Sequence, residues 1–264
     1  MVFVNQIDLF ISEIRRILVF TSGYYFDCTF GLGIISRYIY NFMVACDKLF
    51  IYEKNAIYCN SSVGVYGVNV FFYNVSNLRV LDLKLENCIT FAVVDIGYCD
   101  SEILNKRSLL NFLSYSGSLS VAEALNFFSS SYLADILCTF GSCVLKTKLL
   151  ARLCVLRASP VIYNTSFMVA CGNDYYCFRK FIDIVSRYTS AELIGLRTLL
   201  LNLFSLLRKG AYVIFICFNS QETMVVDQFV RRHLFEISYF RTFSVSFRSN
   251  FTMSFMKVLK KKCL

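Results

Sequence analysis

The chain has 264 residues and a formal net charge of +9, and 56% of its residues are hydrophobic, with a mean hydropathy of +0.55. A membrane-spanning helix needs roughly 20 predominantly apolar residues, and the longest uncharged stretch, 55–78, is interrupted by Asn, Ser and Gly. We therefore expect no membrane partner. The length predicts one domain with an insertion, and the basic charge favours a phosphate-rich partner without specifying which one.

The first predicted elements are an amphipathic helix and a short strand. Apolar residues at 7, 10, 11 and 14 have helical spacing, and the charged residues between them are not typical of a signal peptide. Residues 24–27 form an apolar run that ends in Asp27, and Gly31 and Gly33 follow. Glycines allow a tight turn that brings backbone close to a ligand. This stretch predicts a strand leading into a cofactor loop, although dinucleotides and phosphates also bind to such loops.

Three more predicted strands each lead into a polar residue. They span 49–52, 68–73 and 90–94, and they precede Glu53, Asn74 and Asp95. Ligands of open α/β sheets bind at the carboxyl ends of the strands. An acid at position 53 can accept both hydroxyls of a ribose, and no phosphate-binding lysine follows the first glycines. The pattern predicts a site for adenosine without phosphates.

A long block with helical spacing separates Asp95 from the next predicted strand, 211–218. Its second part, 140–173, contains no acid. It carries four basic residues at helical spacing, namely Lys146, Lys148, Arg152 and Arg157. They form one basic stripe or two adjacent ones, which belong either to a solvated helix face or to an RNA-contacting insert, and we favour the RNA interpretation.

The last third of the chain returns to the sheet. Residues 189–192 have the pattern of a helix capping box, and leucines at 193, 196, 200, 203 and 207 predict one helix face that ends at Lys209 and Gly210. No acid follows Glu236, and basic and aromatic residues alternate there. The alternation makes these aromatic side chains better candidates for the core than for base stacking.

Neither the cysteines nor the histidine indicate a catalytic or metal site. The twelve cysteines include no Cys-x-x-Cys pair, so we interpret them as mostly buried apolar residues of a protein in a reducing cytoplasm, and we expect no metal. His233 is the single histidine, and no nucleophile elbow accompanies it, which argues against Ser-His-Asp hydrolysis.

Four ordered blocks of the chain resemble the MraW (RsmH) family of ribosomal RNA methyltransferases. The family signatures are DxTxGxGGHS, DLGxSS, LNxxxxxxLAxIL and LxxGGxxxxISFHSLED. The matching blocks read DCTFGLG at 27–33, DIG at 95–97, AEALN at 122–126 with LADIL at 133–137, and LRKG at 207–210 followed by VIFICFNSQE at 213–222.

The resemblance implies an α/β fold, a class I Rossmann-like methyltransferase sheet with an inserted helical domain. It implies a core at 1–103 and 183–264 that binds S-adenosylmethionine, and a helical RNA-recognition domain at 104–182. The implied reaction methylates N4 of a cytidine in 16S rRNA within the small ribosomal subunit. A homodimer is a further possibility.

Carried over by position, the cofactor contacts fall on Gly31, Gly33, Ile34, Ile35, Glu53, Val75, Asp95 and Glu102. Asp95 is either an acceptor for the amino hydrogens or a ligand of adenosine. Asn219 and Ser220, at the end of the neighbouring strand, are predicted to orient the base. Several positions depart from the family: Ile34 and Ile35 replace Gly and His, Asn219 replaces His, and LSYSG at 113–117 replaces an acidic segment. Two functions therefore stay open, an active rRNA methyltransferase and a catalytically degenerate RNA-binding protein on the same fold.

Overall fold

The computed structural model describes residues 6–19, 21–31, 33–53, 66–74, 87–95, 121–140, 171–174, 177, 180–182, 184–185, 188, 192–246 and 253–263. The chain forms two compact units, one made of residues 1–97 and 193–264 and the other of residues 98–192.

The first unit is a seven-stranded sheet with helices on both faces. Its strands are β1 (Tyr24–Asp27), β2 (Lys48–Glu53), β3 (Val70–Asn74), β4 (Ile89–Asp95), β5 (Leu207–Cys217), β6 (Ile237–Ser246) and β7 (Met253–Lys261). Their order is β3-β2-β1-β4-β5-β7-β6. Strands β1 to β5 are parallel, and β7 is antiparallel to both of its neighbours. The predicted Rossmann-like methyltransferase sheet is confirmed by this order.

The helices of this unit are α1 (Gln6–Leu18), α2 (Ile34–Tyr40), α5 (Glu192–Leu206) and α6 (Ser220–Arg232). The second unit contains α3 (Val121–Phe127) and α4 (Ser130–Phe140). In the described part of the chain, no helix is long and apolar enough to cross a membrane.

The sheet is hydrophobic on both faces, as parallel sheets between helices are. Residues 89–94 of β4 are all buried. One core cluster joins the sheet to α5 and α6, through residues such as Leu200 and Val226. The other joins it to α1 and α2, through residues such as Ile14 and Ile39. The alternation of β-branched and aromatic side chains along the strands supplies both clusters.

The predicted end of α5 was wrong. The helix ends at Leu206, and Leu207 already belongs to β5, where it pairs with Ile89 of β4. The side chain of Lys261 donates hydrogen bonds to the carbonyl oxygens of Phe204 and Leu207, at 2.9 and 2.8 Å. A cation from β7 therefore satisfies carbonyls at this helix end, and no glycine is needed there. Three residues of the predicted capping box at 189–192 lie outside the described part of the chain, and the fourth, Glu192, is the first residue of α5.

The interpretation of the cysteines was correct for only some of them. Cys28, Cys171 and Cys217 are buried, whereas Cys46, Cys88, Cys138 and Cys263 are exposed. The exposed ones lie at turns and strand ends or on the outer face of α4, where apolar neighbours in the sequence do not ensure burial. No pattern in the sequence separates the two groups.

The ion pair between β7 and α6 gives a test of the packing. Lys257 is 2% exposed, and its Nζ lies 2.6 Å from Oδ1 of Asp227. The change Asp227→Asn leaves a buried ammonium without its anion and should lower the free energy of unfolding by about 2 kcal/mol. Adding Lys257→Met should recover most of the loss, because an apolar side chain of similar length then fills the site. Urea unfolding measures both, and equal midpoints for Asp227→Asn and the unmodified protein would contradict the argument.

Candidate functional site

The candidate site is built on the loop that follows β1. The backbone N–H of Cys28 donates to the carbonyl of Val93 in β4, at 2.9 Å, and that of Phe30 donates to the carbonyl of Tyr52 in β2, at 3.2 Å. Strand β1 lies between β2 and β4. The loop is therefore attached to both neighbouring strands at the carboxyl edge of the sheet, where α/β folds bind their ligands.

The side chain of Asp27 connects the two ends of this loop by hydrogen bonds. It is fully buried, its Oδ1 accepts the N–H of Thr29 at 3.1 Å, and its Oδ2 accepts the hydroxyl of Ser36 in α2 at 2.5 Å. Burial raises the pKa of this carboxyl to about 7, and the nearby charges of Asp95 and Glu53 add to the rise, against the hydrogen bonds from Ser36 and Thr29.

Thr29 connects the loop to the end of β4. Its Oγ1 accepts the backbone N–H of Asp95, at 2.6 Å. Sequence reasoning assigned no role to Thr29 or Ser36, although both occupy polar positions of the DxTxGxGGHS signature. Their hydroxyls hold the loop rather than face a ligand, so spacing along the chain does not reveal their role.

The two glycines of the loop have different surroundings. Gly31 has φ +53, and a Cβ built on it would meet nothing within 4 Å. Gly33 has φ +71, and its Cβ would lie 2.6 Å from the ring of Phe30. Only glycine adopts such dihedrals at no steric cost. The open side of the loop is therefore at Gly31, whereas Gly33 is required by the packing beneath it.

Two carboxylates flank the loop. Glu53 is 7% exposed, and its Oε2 accepts the N–H of Gly31 at 2.9 Å. Asp95 is partly buried at the end of β4. Asp27 pairs with Ile51 of β2 and with Val93 of β4. Glu53 and Asp95 each lie two residues beyond these partners, so the two acids are on opposite sides of β1. Two strand spacings put their backbones about 10 Å apart.

The other predicted residues are distributed as follows. Ile34, the first residue of α2, is 55% exposed, and Ile35 is partly buried against the α1 and α2 core. Ile34 therefore adds an apolar side chain next to the loop where the family has glycine. Six predicted residues lie outside the described part of the chain: Val75, Glu102, Lys146, Lys148, Arg152 and Arg157.

The block at the end of β5 forms the start of α6. Asn219 is the N-cap, and its Oδ1 accepts the N–H of Glu222 at 2.9 Å. The side chain of Glu222 reaches back and accepts the N–H of Phe218 at 2.7 Å. This differs from a capping box only in that Glu222 accepts the N–H of the residue before the N-cap, and the Asn-x-x-Glu spacing could have indicated it. Ser220 is the exposed first residue of α6.

Capping of α6 uses only the oxygen of the Asn219 side chain, so its amide nitrogen remains as a donor. Nδ2 of Asn219 is buried and has no hydrogen-bond partner among the described residues. A buried amide that lacks its partner carries a desolvation cost of about 1–3 kcal/mol. An acceptor on a ligand would remove this cost.

The arrangement suits a cationic nucleoside ligand. Glu53 offers carboxylate oxygens at the end of β2, as a ribose requires, and the side of Gly31 that a Cβ would fill is open. Glu53 and Asp95, whose charges act on the buried Asp27, lie at this edge and favour a positively charged ligand. The described residues contain no group of three His, Cys, Asp or Glu side chains that could hold a metal ion. Fold and site together are those of a class I methyltransferase scaffold.

Comparisons with known proteins give a more specific likeness. No family model matches the chain. It is 23% identical over 251 residues to the ribosomal RNA small subunit methyltransferase H of Blochmanniella floridana, covering 84% of this chain and 78% of that protein. It is 24% identical over 252 residues to the protein of the same name from Rickettsia akari (strain Hartford), covering 87% and 81%.

Solved structures of similar fold include an rRNA methylase from Streptococcus thermophilus, with a TM-score of 0.45, 9% identity and 99% coverage of both chains. Another is M. jannaschii TYW2 in complex with S-adenosylmethionine, with a TM-score of 0.43, 8% identity and coverage of 100% of this chain and 79% of that one.

The buried Asp27 predicts a pH dependence of stability. Its pKa of about 7 in the folded chain exceeds the ordinary value of 3.8, so the folded state binds the extra proton. The resulting stabilisation is complete below pH 3.8 and is lost as the pH rises through 7. Asp27→Asn removes this titration, so the variant should gain stability relative to the unmodified chain between pH 4 and pH 7. Urea unfolding at several pH values measures the difference, and a constant difference would contradict the assignment.

Proposed function

We propose that this chain is an S-adenosylmethionine-dependent rRNA methyltransferase, a divergent member of the MraW (RsmH) family that methylates N4 of a cytidine in 16S rRNA. The observation that carries the proposal is the open turn at Gly31, held between Glu53 and Asp95 at the carboxyl edge of the sheet. The name shared by both curated relatives supports an rRNA substrate.

The cofactor is S-adenosylmethionine, which supplies a methyl group already activated by its sulfonium. Glu53 accepts the ribose hydroxyls, and Gly31 lets the backbone approach the ligand. The acids at this edge complement the positive charge of the sulfonium. Gly33, Ile34, Ile35, Val75 and Glu102 complete the proposed cofactor site by their resemblance to the family positions.

The chain must hold the amino nitrogen of cytosine in line with that methyl group. Asp95 is fixed through the Thr29 hydroxyl, and it either accepts the amino hydrogens as positive charge develops or binds adenosine. Asn219 acts as a donor, since its oxygen already caps α6. Its Nδ2 therefore suits an acceptor of the base, with Ser220 beside it. An amide cannot shuttle a proton, so the product loses its proton to water.

The rRNA partner is proposed to be the small ribosomal subunit. The net charge of +9 gives a general attraction to phosphate. The basic residues Lys146, Lys148, Arg152 and Arg157 of the insert stay predicted RNA contacts. Cytoplasmic location and the possible homodimer belong to the same proposal.

The first test separates the roles of the two glycines. Gly31→Ala places a methyl group in the open space of the loop, at a cost of about 1 kcal/mol for its positive φ, and should reduce cofactor affinity at least about tenfold. Gly33→Ala places a methyl group against the ring of Phe30 and should mainly lower the melting temperature. Calorimetry with S-adenosylmethionine and thermal unfolding measure the two effects.

Unmodified protein that binds no S-adenosylmethionine would overturn the enzyme proposal. Cofactor binding unaffected by Gly31→Ala would contradict the placement of the ligand on the open side of the loop.

The second test identifies the product. Unmodified small ribosomal subunits incubated with the protein and S-adenosylmethionine should gain one methyl group on N4 of a cytidine, as nucleoside mass spectrometry would detect. Asn219→Asp keeps an oxygen to cap α6 but removes the amide donor, and it should slow methylation about tenfold, the effect of about 1.4 kcal/mol.

Asn219→Ser serves as the control for the cap, because serine is a good N-cap without an amide. Both variants should slow the reaction without loss of folding stability. Methyl groups on a ring carbon or a ribose would contradict the proposed reaction. Cofactor and RNA binding without methyl transfer would favour the degenerate RNA-binding protein.

A further inference from the structure

One face of the sheet carries a row of aromatic and basic side chains away from the cofactor loop. Lys260 of β7 pairs in register with Tyr212 of β5 and with Tyr239 of β6. Its Nζ lies 4.9 Å from the centre of the Tyr212 ring. Arg16 of α1 lies over the Tyr239 ring, with Cζ 5.9 Å from its centre. Tyr212, Lys260 and Tyr239 therefore lie side by side across three strands, and Arg16 of α1 covers the last of them.

A second pair continues this row along β6. Arg241 is exposed, and its Cζ lies 4.4 Å from the centre of the Phe243 ring. Residues 239, 241 and 243 point to the same face, because side chains alternate along a strand. Tyr212, Tyr239 and Phe243 pack on the core next to α1 but stay partly exposed. We call this surface the aromatic-basic face, made of Arg16, Tyr212, Tyr239, Arg241, Phe243 and Lys260.

The charge of this face is positive. Glu13 pairs with Arg16, with 2.6 Å between oxygen and nitrogen, and offsets its charge, so the positive charge of the face comes from Arg241 and Lys260. No acid follows Glu236 in the sequence, so the 237–264 segment contributes only basic charge. Cations beside ring faces bind phosphates, while the rings accept stacked bases. This combination fits single-stranded RNA better than a duplex, whose bases are not available for stacking.

The position of the face relates it to the candidate site. Phe243 pairs with Met256, which pairs with Ile216, which pairs with Asp95. Phe243 and Asp95 therefore share one row of the sheet, three strand spacings apart, which is about 14 Å. The face runs from the amino end of β6 towards the edge that carries the cofactor loop. A strand of RNA bound on it can continue to that edge.

We infer that the aromatic-basic face holds the single-stranded RNA segment that flanks the methylated nucleotide. On binding, Arg241 and Lys260 turn from the Phe243 and Tyr212 rings to phosphates, and the ring faces that they leave, with Tyr239 beside them, stack on bases. This inference rests on the proposed function for the identity of the RNA. It places part of the RNA contact on the sheet itself, in addition to the insert.

The test is RNA binding by the full chain without cofactor. The double change Arg241→Glu and Lys260→Glu should weaken binding to a single-stranded fragment of small-subunit rRNA about tenfold or more at 0.1 M salt. It should also flatten the dependence of log affinity on log salt by about 0.7 for each phosphate that the variant no longer neutralises. Fluorescence anisotropy at several salt concentrations measures both.

A matched control reverses two exposed arginines on the helices of the opposite face. Arg197→Glu with Arg231→Glu makes the same change in net charge. This control should weaken RNA binding less than the double change at Arg241 and Lys260, and it should leave the slope of log affinity against log salt unchanged. Tyr212→Leu with Tyr239→Leu should reduce affinity for single-stranded RNA at least about fivefold and change duplex binding little. Circular dichroism verifies that each variant is folded.

Crosslinking of the unmodified protein to 4-thiouridine RNA does not depend on any variant. Crosslinked peptides should come from β5, β6 or β7, and crosslinks confined to other segments would overturn the inference. Equal weakening of RNA binding by the two charge reversals would also overturn the inference. So would a reversal at Arg241 and Lys260 that abolishes binding to anionic phospholipid vesicles but leaves RNA binding intact. Absence of methyl transfer alone would count against the proposed function and leave this face supported.

Discussion

The buried carboxylate of Asp27 is the constraint on which the candidate site depends. It accepts hydrogen bonds from Thr29 within the loop and from Ser36 in α2, and Thr29 in turn holds the backbone of Asp95. The loop, the start of α2 and the end of β4, which lies 66 residues from Thr29, are thereby fixed at one edge of the sheet. The cost is a carboxyl group with a raised pKa in an apolar interior. The same group links the geometry of the loop to the stability of the fold.

Asn219, at the end of β5, has both a structural role and a proposed functional role. Asn219 uses its oxygen to cap α6 and keeps its buried amide hydrogens for another partner. A histidine at this position, as in the family, could accept and release a proton, whereas an amide can only orient a base. The proposed chemistry therefore depends on positioning and electrostatics, which are large contributions in many enzymes.

Charge is segregated within the first unit. Acids lie around the cofactor loop, and basic residues lie on the aromatic-basic face of β5, β7 and β6. This distribution matches a cationic small ligand at one place and a polyanion at another. A net charge alone predicts the polyanion but not its location.

The local pattern of the chain was enough to predict strands β1 to β5, the glycine turn and the acids at the ends of β2 and β4, because these depend on short periodicities and on the rule that parallel strands end at one edge. The features that the local pattern did not predict depend on contacts between segments that are distant in the chain. Only packing against Phe30 distinguishes Gly33 from Gly31. The end of α5 depends on Lys261, which lies more than fifty residues further along the chain. The aromatic-basic face likewise exists only once β5, β7 and β6 pair in register, since its members come from four separate elements.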